Sequence, residues 1–168
     1  VVMLDIGAVS SSLVVYGKGQ QFFTRDLPIG GHHFVKELSD KKEIGYIAAQ
    51  DMLYKDGVSA TVSNSSSDPT EAVGIAERTV YDNLVEDLRR SLRFYGKQTG
   101  QSFFLKIFLS GGASGTPGLT DFITGKLNIE SAILNPFENV DGAENISVTN
   151  PGQFTTALGL GIRGGMSS

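Results

Sequence analysis

The sequence predicts an α/β protein in which one β-sheet is accompanied by helices. Three observations lead to this fold class. Short runs of apolar, often β-branched residues are typical of strands, and longer segments with apolar residues every three or four positions are typical of helices. Glycine-rich turns separate the two kinds of segment. Along 168 residues the order is three strands, a helix, an inserted helical region, then strand, helix, strand and helix.

Short turns join the first three predicted strands. Val1–Ile6 is a continuous apolar run that carries Asp5, which is unusual because an unpaired buried charge is costly. Leu13–Tyr16 predicts the second strand and Gln21–Leu27 the third, with hairpin-forming glycines between them. The sequence therefore predicts an antiparallel meander.

The middle of the chain is predicted to be mainly helical. His32–Leu38 has the apolar spacing of a short helix, and a second helix follows and ends at Gly57. Ala60–Val62 lies in a polar, serine-rich stretch that predicts an edge strand or a mobile loop. Asp68–Glu71 has the capping Asp, first-turn Pro and third-position Glu of a helix start. The longest helix is expected to run from there, with apolar residues every three or four positions through Leu84, Leu88, Leu92 and Tyr95, until Gly96 or Gly100 ends it.

The second half of the chain alternates strands and helices. Phe103–Leu109 is an apolar run interrupted by one lysine, and it predicts a strand covered on both faces. The glycine-rich turn Ser110–Gly115 follows, and then a periodic helix as far as Leu127. Ser131–Leu134 predicts a last short strand. A final helix begins near Pro151, and its small residues predict a packing face.

Composition and charge exclude several classes of protein. The net charge of −4, from 14 basic and 18 acidic residues, argues against general nucleic-acid binding, which usually needs a basic face. The absence of cysteine excludes disulfides and thiolate metal sites. No apolar stretch approaches the roughly 20 residues that span a bilayer, and the first residues lack a signal-peptide layout. Because the chain starts directly on a strand, we expect it to be a piece of a longer protein.

A meander followed by two strand–helix units is the arrangement of the ribonuclease H-like sheet, which actin-like ATPase domains share. This arrangement places residues 1–39 and 98–168 in a core subdomain. Residues 40–97 would form an inserted, mainly helical subdomain. Such sheets carry two broad chemistries, metal-dependent nuclease activity and nucleotide binding.

The residues at the strand ends favour nucleotide binding. A two-metal nuclease needs several carboxylates around paired cations. Asp5 and Glu37 could supply two, but the fourth strand ends in Ser110-Gly111-Gly112 instead of a carboxylate. Glycines at that place suit a nucleoside lying flat against backbone. The turn after Asp5 begins with Gly7-Ala8 and is rich in hydroxyls such as Ser11, so it suits phosphate oxygens, with Asp5 near Mg²⁺ and a water.

Six stretches along most of the chain carry a family resemblance. They are LDIGAVSSSLVVY (4–16), FFTRDLPIGG (22–31), DLRRSLRFY (87–95), LSGGASGTPGLTDFITGKLNI (109–129), LNPFENV (134–140) and ALGLGIR (157–163). In this order they resemble the C-terminal half of the PilM family, actin-like proteins of type IV pilus assembly that associate with the inner membrane. A more distant resemblance is to FtsA.

The resemblance implies an actin-like fold that binds ATP with Mg²⁺. It implies that Asp5 and Gly7 lie in the second phosphate loop, with Asp5 as the residue near the metal. It also implies that Gly111, Gly112 and Ala113 lie in the adenosine loop. The partners it implies are PilN-like proteins of the pilus inner-membrane platform and an assembly ATPase, with membrane contact only through such partners.

Two departures from the family pattern affect these expectations. The family's inserted helix usually reads A-E-x-x-K, with Glu and Lys flanking the nucleoside. Here Gln50 stands at the Glu position and Leu53 at the Lys position. Gln50 could still bond a ribose hydroxyl, but Leu53 cannot replace a cation. The N-terminal half of the clamp, with the first phosphate loop and the docking groove for PilN, is expected on a part absent from this sequence.

Two further groups of residues have simple structural interpretations. His32 and His33 are adjacent and would point about 100° apart on a helix, so we expect helix-start roles and no metal role. Arg89, Arg93 and Lys97 belong to a basic cluster late in the long helix, together with Arg90. This cluster predicts a solvated face that complements the helix dipole, or a contact with an acidic partner or membrane surface.

The expected function is that of a cytoplasmic scaffold of the type IV pilus machine, peripheral at the inner membrane of a bacterium. ATP would be a structural or switching ligand, hydrolysed slowly at most, and no residue stands out as a general base. Three alternatives remain: a nucleotide-free pseudo-ATPase of a type II secretion platform, an FtsA-like division protein, and a metal-dependent nuclease.

Overall fold

The computed structural model describes residues 1–17, 19, 22–62, 78–101, 103–138, 140–143 and 145–165. The predicted helix start at Asp68–Glu71 and the serine-rich residues from Ser63 lie outside the described residues.

The described residues form five strands, which make one sheet in the order β3-β2-β1-β4-β5. β1 is antiparallel to β2, and β2 to β3, whereas β4 runs parallel to both β1 and β5. The strands are β1 (Val2–Ile6), β2 (Ser11–Val15), β3 (Phe23–Leu27), β4 (Lys106–Ser110) and β5 (Glu130–Ile133). The predicted meander and the actin-like, ribonuclease H-like α/β fold are confirmed.

In the described ranges, six helices lie between and after the strands. They are α1 (Gly31–Lys42), α2 (Tyr46–Asp56), α3 (Ser59–Val62), α4 (Val80–Thr99), α5 (Leu119–Leu127) and α6 (Thr155–Gly165), the last preceded by a 3-10 turn at Pro151–Phe154. Gly57 ends α2 at a positive φ of 63°, as its sequence position predicts. The order of elements in the second half of the chain also agrees with the sequence analysis.

The core lies on one face of the sheet. In β1 the side chains alternate, so that Val2, Leu4 and Ile6 are buried while Met3 and Asp5 are only half-buried. The buried face packs against α1, α4 and α5, and Leu84, Leu88 and Leu92 of α4 are among the buried residues. The hydrophobic cluster includes residues of the sheet and of four helices: α1, α2, α4 and α5.

Helices from the predicted inserted subdomain therefore share a core with the sheet. The division into 1–39 with 98–168 and an inserted 40–97 stays a prediction. In the structure α4, which falls inside the inserted range, contributes more buried side chains to the cluster than any other helix described.

The longest described helix begins at Val80, and residues 78 and 79 are not helical, so the prediction of one continuous helix from Asp68 is wrong. Its first turn is fixed by a reciprocal cap, in which the Thr79 hydroxyl accepts from the Asp82 N–H at 3.2 Å and the Asp82 carboxylate accepts from the Thr79 N–H at 3.1 Å. The Glu37 carboxylate on α1 accepts the Val80 N–H and also pairs with Lys41. These contacts satisfy backbone donors that a helix start leaves free.

Three other expectations are corrected by the structure. Ala60–Val62 is helical instead of an edge strand. The Val58 N–H donates to the Pro117 carbonyl at 2.9 Å, and this contact fixes the chain where the short helix begins. The strand β4 begins at Lys106, and Phe103 and Leu105 before it are exposed. β4 is also not fully covered on both faces, since its burial alternates at its first four residues. The third correction concerns α6. Its small residues predict a packing face, but none of its eleven residues, all of which are described, is buried.

Candidate functional site

The candidate site lies at the carboxyl ends of β1 and β4. These two strands are parallel neighbours, and Asp5 stands in register with Ser110 on β4 and with Ser12 on β2. The turns that follow β1 and β4 therefore leave the same edge of the sheet, as the sequence analysis expected. Ligands of open α/β sheets bind at this edge.

Gly111 places the turn after β4 directly beside Asp5. Its φ is 88°, a conformation that favours glycine. A Cβ at this position would overlap the Asp5 carboxylate and the Ile6 carbonyl. The same turn is tied to β1 by the Ala113 N–H, which donates to the Ile6 carbonyl at 3.0 Å. Gly111, Gly112 and Ala113 thus lie against Asp5, and Gly112 is exposed.

The turn after β1 is held by its carbonyl groups. The Gly31 N–H donates to the Gly7 carbonyl at 2.9 Å, and the His32 N–H donates to the Ala8 carbonyl at 2.7 Å. Within the described chain, the N–H groups of Ala8 and Val9 have no hydrogen-bond partner, and both residues are exposed. Free backbone donors in a turn beside the start of α1 suit an anion.

The sequence analysis missed the part that Gly30 and Gly31 play. A Cβ on Gly30 would lie 2.7 Å from the Gly7 carbonyl oxygen, and a Cβ on Gly31 would lie 2.9 Å from the Ala113 Cβ. Three glycine-containing turns therefore meet at close backbone distance. The signal in the sequence is the Gly30-Gly31 pair itself, which directly follows the third strand.

It also missed the segment before α6. The Gly111 N–H donates to the Gly152 carbonyl at 2.9 Å, and Asn150 Nδ2 donates to the Gly112 carbonyl at 3.0 Å. Ser114 Oγ donates to the Gly111 carbonyl at 2.7 Å and lies 3.2 Å from Asn150 Oδ1. This segment is therefore hydrogen-bonded to the turn that follows β4. Nothing in the local sequence of Asn150 indicated it, since the contact spans 38 residues.

Ser11, Gln50 and Leu53 are less available than the sequence analysis expected. Ser11 is fully buried, and its hydroxyl donates to the Ile29 carbonyl. Leu53 is 3% exposed and belongs to the hydrophobic cluster. Gln50 is half-buried and its amide contacts the Tyr54 hydroxyl at 3.3 Å. The structure brings Asp5, Gly7, Ala8 and the Gly111 turn together, while Ser11 and Leu53 serve packing.

A backbone contact joins α2 and α3 to the turn that follows β4. Gly57 packs on Pro117, and the hydrogen bond from Val58 to the Pro117 carbonyl joins α2 and α3 to the turn between β4 and α5. A Cβ at Gly57 would collide with the backbone of Pro117. The sequence at Gly57 indicated a helix end, but not this contact.

Asp5 stands without a cluster of other metal ligands. In the described ranges, no three His, Cys, Asp or Glu side chains gather where they could hold an ion. Glu37, the second carboxylate considered for a nuclease, is committed to Val80 and Lys41. His33 Nδ1 accepts the Gly30 N–H at 3.1 Å at the start of α1, and His32 stacks on Tyr46. One carboxylate suffices for Mg²⁺ held mainly by water and phosphate oxygens.

Comparison with known proteins gives a consistent set of similarities. A family model described as type IV pilus assembly protein PilM matches residues 1–165. Cell division protein FtsA of Bacillus subtilis is 26% identical over 176 residues, covering 95% of this chain and 37% of FtsA.

Solved structures extend the comparison to the fold. The structure titled PilM-PilN type IV pilus biogenesis complex matches with a TM-score of 0.70 and 26% identity, over 97% of this chain and 45% of that chain. Ethanolamine utilization protein EutJ from Carboxydothermus hydrogenoformans matches with a TM-score of 0.59 and 18% identity, over 94% and 46%, and at this identity it supports the fold alone. The chain spans less than half the length of these relatives. Among the helices described, none is long and apolar enough to cross a membrane.

Proposed function

Because the chain belongs to the family of type IV pilus assembly protein PilM, we propose that it is part of a cytoplasmic pilus-assembly scaffold, peripheral at a bacterial inner membrane. We propose further that it binds ATP with Mg²⁺ at the edge of the sheet beside Asp5. ATP acts there as a structural or switching ligand that is hydrolysed slowly at most.

One observation supports the nucleotide site above the others: three glycine turns and one half-buried carboxylate converge at the ends of β1 and β4. The free N–H groups of Ala8 and Val9 match phosphate oxygens, which are acceptors only. The exposed backbone of Gly112 offers a flat surface to a purine. Asp5, beside both turns, is placed to bind a water of hydrated Mg²⁺.

Calorimetric titration of Mg-ATP tests this proposal in this chain and in the full-length protein. Binding is expected in the full-length protein and is expected to be weak or absent here, since half of the clamp is missing. In the full-length protein, Asp5→Asn is expected to weaken binding about tenfold or more, which corresponds to about 1.4 kcal/mol.

Asp121→Asn is the matched control, because this exposed aspartate lies on α5, outside the turns that would hold the nucleotide. It removes the same charge and should leave the affinity unchanged. Equal affinity of the wild type and Asp5→Asn would show that Asp5 takes no part in nucleotide binding.

A nucleotide-free scaffold, as in a pseudo-ATPase of a type II secretion platform, is the second candidate. The observation that favours it is the burial of Leu53, since the family pattern places a lysine there and a buried leucine offers no charge to a ligand. Absence of Mg-ATP binding by the full-length protein, together with normal folding, would support this candidate over the first.

A PilN-like protein is the proposed partner. The support is the similarity to the structure titled PilM-PilN complex. Co-purification with the short cytoplasmic segment of PilN from the same organism tests it. Retention by the full-length protein but not by residues 1–168 alone would agree with a docking groove on the other half, and retention by neither would reject the partner.

A further inference from the structure

A groove lies on the side of the sheet that carries α4, at the opposite end of the strands from Asp5. It runs between the C-terminal half of α4 and the residues that precede β4 and β5. The cavity measures about 440 Å³, which is within the range of ligand sites in proteins. We call it the basic groove; its floor is formed by Leu92, Phe104, Leu127 and Ile129, and its rim by Arg93 and Lys97.

The floor of the basic groove is apolar and incompletely covered. Leu92 belongs to the hydrophobic cluster, and Phe104, Leu127 and Ile129 pack against it while remaining partly exposed. Gly96 contributes no side chain at the middle of the groove. A Cβ there would lie 2.7 Å from the Gln101 carbonyl oxygen, so glycine also allows the chain to return closely past the end of α4.

The rim of the basic groove carries two cations, Arg93 and Lys97, that form no ion pair with a described side chain. Arg89, Arg93 and Lys97 follow one another every four residues along α4, and like charges at this spacing repel. The Arg89 guanidinium donates hydrogen bonds to the Glu86 carboxylate and to the Lys126 carbonyl, both at 2.7 Å. Arg93 and Lys97 are exposed, and neither has a carboxylate within 4.0 Å among the described side chains.

The residues that line the groove include no acid, although the chain as a whole is acidic, with 18 acidic and 14 basic residues. A ligand for the groove must therefore combine apolar groups for the floor with negative charge for the rim. The net charge of −4 disfavours an anionic membrane surface, which would repel most of the protein. A short protein segment meets both requirements without that repulsion.

We propose that the basic groove binds an acidic, apolar peptide segment of a partner protein. One or two large apolar side chains of the segment pack on Leu92, Phe104 and Leu127, and its Asp or Glu residues pair with Arg93 and Lys97. The distance from Arg89 to Lys97 along α4 is about 12 Å, which matches two turns of a helix or about four extended residues. The proposal is independent of the nucleotide site.

Selection from a phage-displayed random dodecapeptide library tests this proposal on the intact protein. Peptides that bind the wild type are passed over the charge-reversed variant Arg93→Glu/Lys97→Glu, and those that also bind this variant are discarded. Enriched peptides are expected to carry Asp or Glu within two residues of Phe, Leu or Ile. A labelled copy of the most enriched peptide should bind the charge-reversed variant about tenfold more weakly or worse in fluorescence anisotropy.

The double variant Lys36→Glu/Lys55→Glu is the matched control, since these exposed lysines lie on α1 and α2 and make the same change in net charge. It should retain full affinity, and circular dichroism should show that both variants fold. A second variant, Leu127→Ala, removes apolar surface from the floor of the basic groove. It should lower the affinity for the peptide while leaving the net charge unchanged.

Three outcomes would overturn the proposal. One is the absence of any enriched peptide that distinguishes wild type from the charge-reversed variant. Another is charge-dependent sedimentation with phosphatidylglycerol vesicles in place of peptide binding, which would assign the groove to a membrane. The last is a dimer in sedimentation equilibrium that the charge reversal dissociates, which would assign it to a second copy of the chain.

Discussion

The helices α4 and α6 are both expected from the sequence to pack by one face, but they have very different surroundings. Seven of the 20 residues of α4 are buried, and it touches the sheet, α1 and α5. None of the eleven residues of α6 is buried, and Leu160 is 64% exposed. In the 3-10 turn before α6, the ring of Phe154 lies 5.7 Å from the ring of Phe137.

The difference shows what an apolar pattern does and does not predict. Spacing of three and four predicts which side of a helix is suited to burial. Whether that side is buried depends on other elements that the helix itself does not encode. Packing of α4 should therefore contribute much more to the free energy of unfolding than packing of α6. Substitutions of similar size in the two helices should change this free energy by very different amounts.

Leucine truncation gives the largest expected difference between the two helices. Leu88 is fully buried, so Leu88→Ala should lower the free energy of unfolding by about 3 kcal/mol, through lost apolar burial and the cavity left behind. Leu160→Ala in α6 is the matched control and should change it by about 0.5 kcal/mol or less. Urea denaturation followed by circular dichroism measures both. Comparable losses in the two variants would mean that α6 is packed in solution.

The pH dependence of stability tests how α4 is anchored at its start. Burial raises the pKa of Asp82, but hydrogen bonds from Lys126 and Thr79 outweigh it and hold the pKa below its ordinary value. The folded state therefore binds fewer protons than the unfolded state near the ordinary aspartate pKa. This contribution is present above that pKa and is lost as the pH falls through the lower, folded-state pKa.

Asp82→Asn should accordingly lower stability by about 1 kcal/mol at neutral pH and by less in acid. Unfolding measured in urea between neutral and acidic pH gives the comparison. Asp51→Asn, on the exposed side of α2, serves as the control and should follow the wild type. A difference between Asp82→Asn and wild type that stays constant with pH would contradict the anchoring role of the charge.

The smallest expected effect on stability is a gain instead of a loss. The Tyr95 hydroxyl on α4 is buried, and it has no hydrogen-bond partner among the described residues. Tyr95→Phe should therefore leave stability unchanged or raise it by up to about 1 kcal/mol, because an unsatisfied polar atom is removed from the core. Thermal denaturation measures the change. A clear loss of stability would show that the hydroxyl has a partner in solution.

Much of the fold could be predicted from the sequence. The strands of the meander, the α5 helix and the C-terminus of α2 at Gly57 depend on local patterns that the structure confirms. The short helix α3 could not be predicted, because Thr61 and Val62 are β-branched and favour strands, while the contact between Val58 and Pro117 decides the local conformation. The start of α4 was misplaced because Thr79 caps the helix as effectively as Asp68 was expected to.

Only those residues of the candidate site that lie at strand ends could be predicted from the sequence. Asp5 and the Gly111 turn lie at strand ends, so a sheet topology alone brings them together. Gly31 and Asn150 reach the site through contacts with residues far away in sequence, which no local pattern shows. Leu53 was included through a family motif, whereas its burial follows from packing of α2 on α1.

The close approach of Gly31 to Ala113 has a consequence for how this protein can change in evolution. The space between the two backbones holds one methyl group, since a second Cβ at Gly31 would lie 2.9 Å from the first. A lineage that acquires alanine at position 31 would need glycine at position 113. The two positions should therefore vary together across descendants of this sequence, with the shared methyl group on one side or the other.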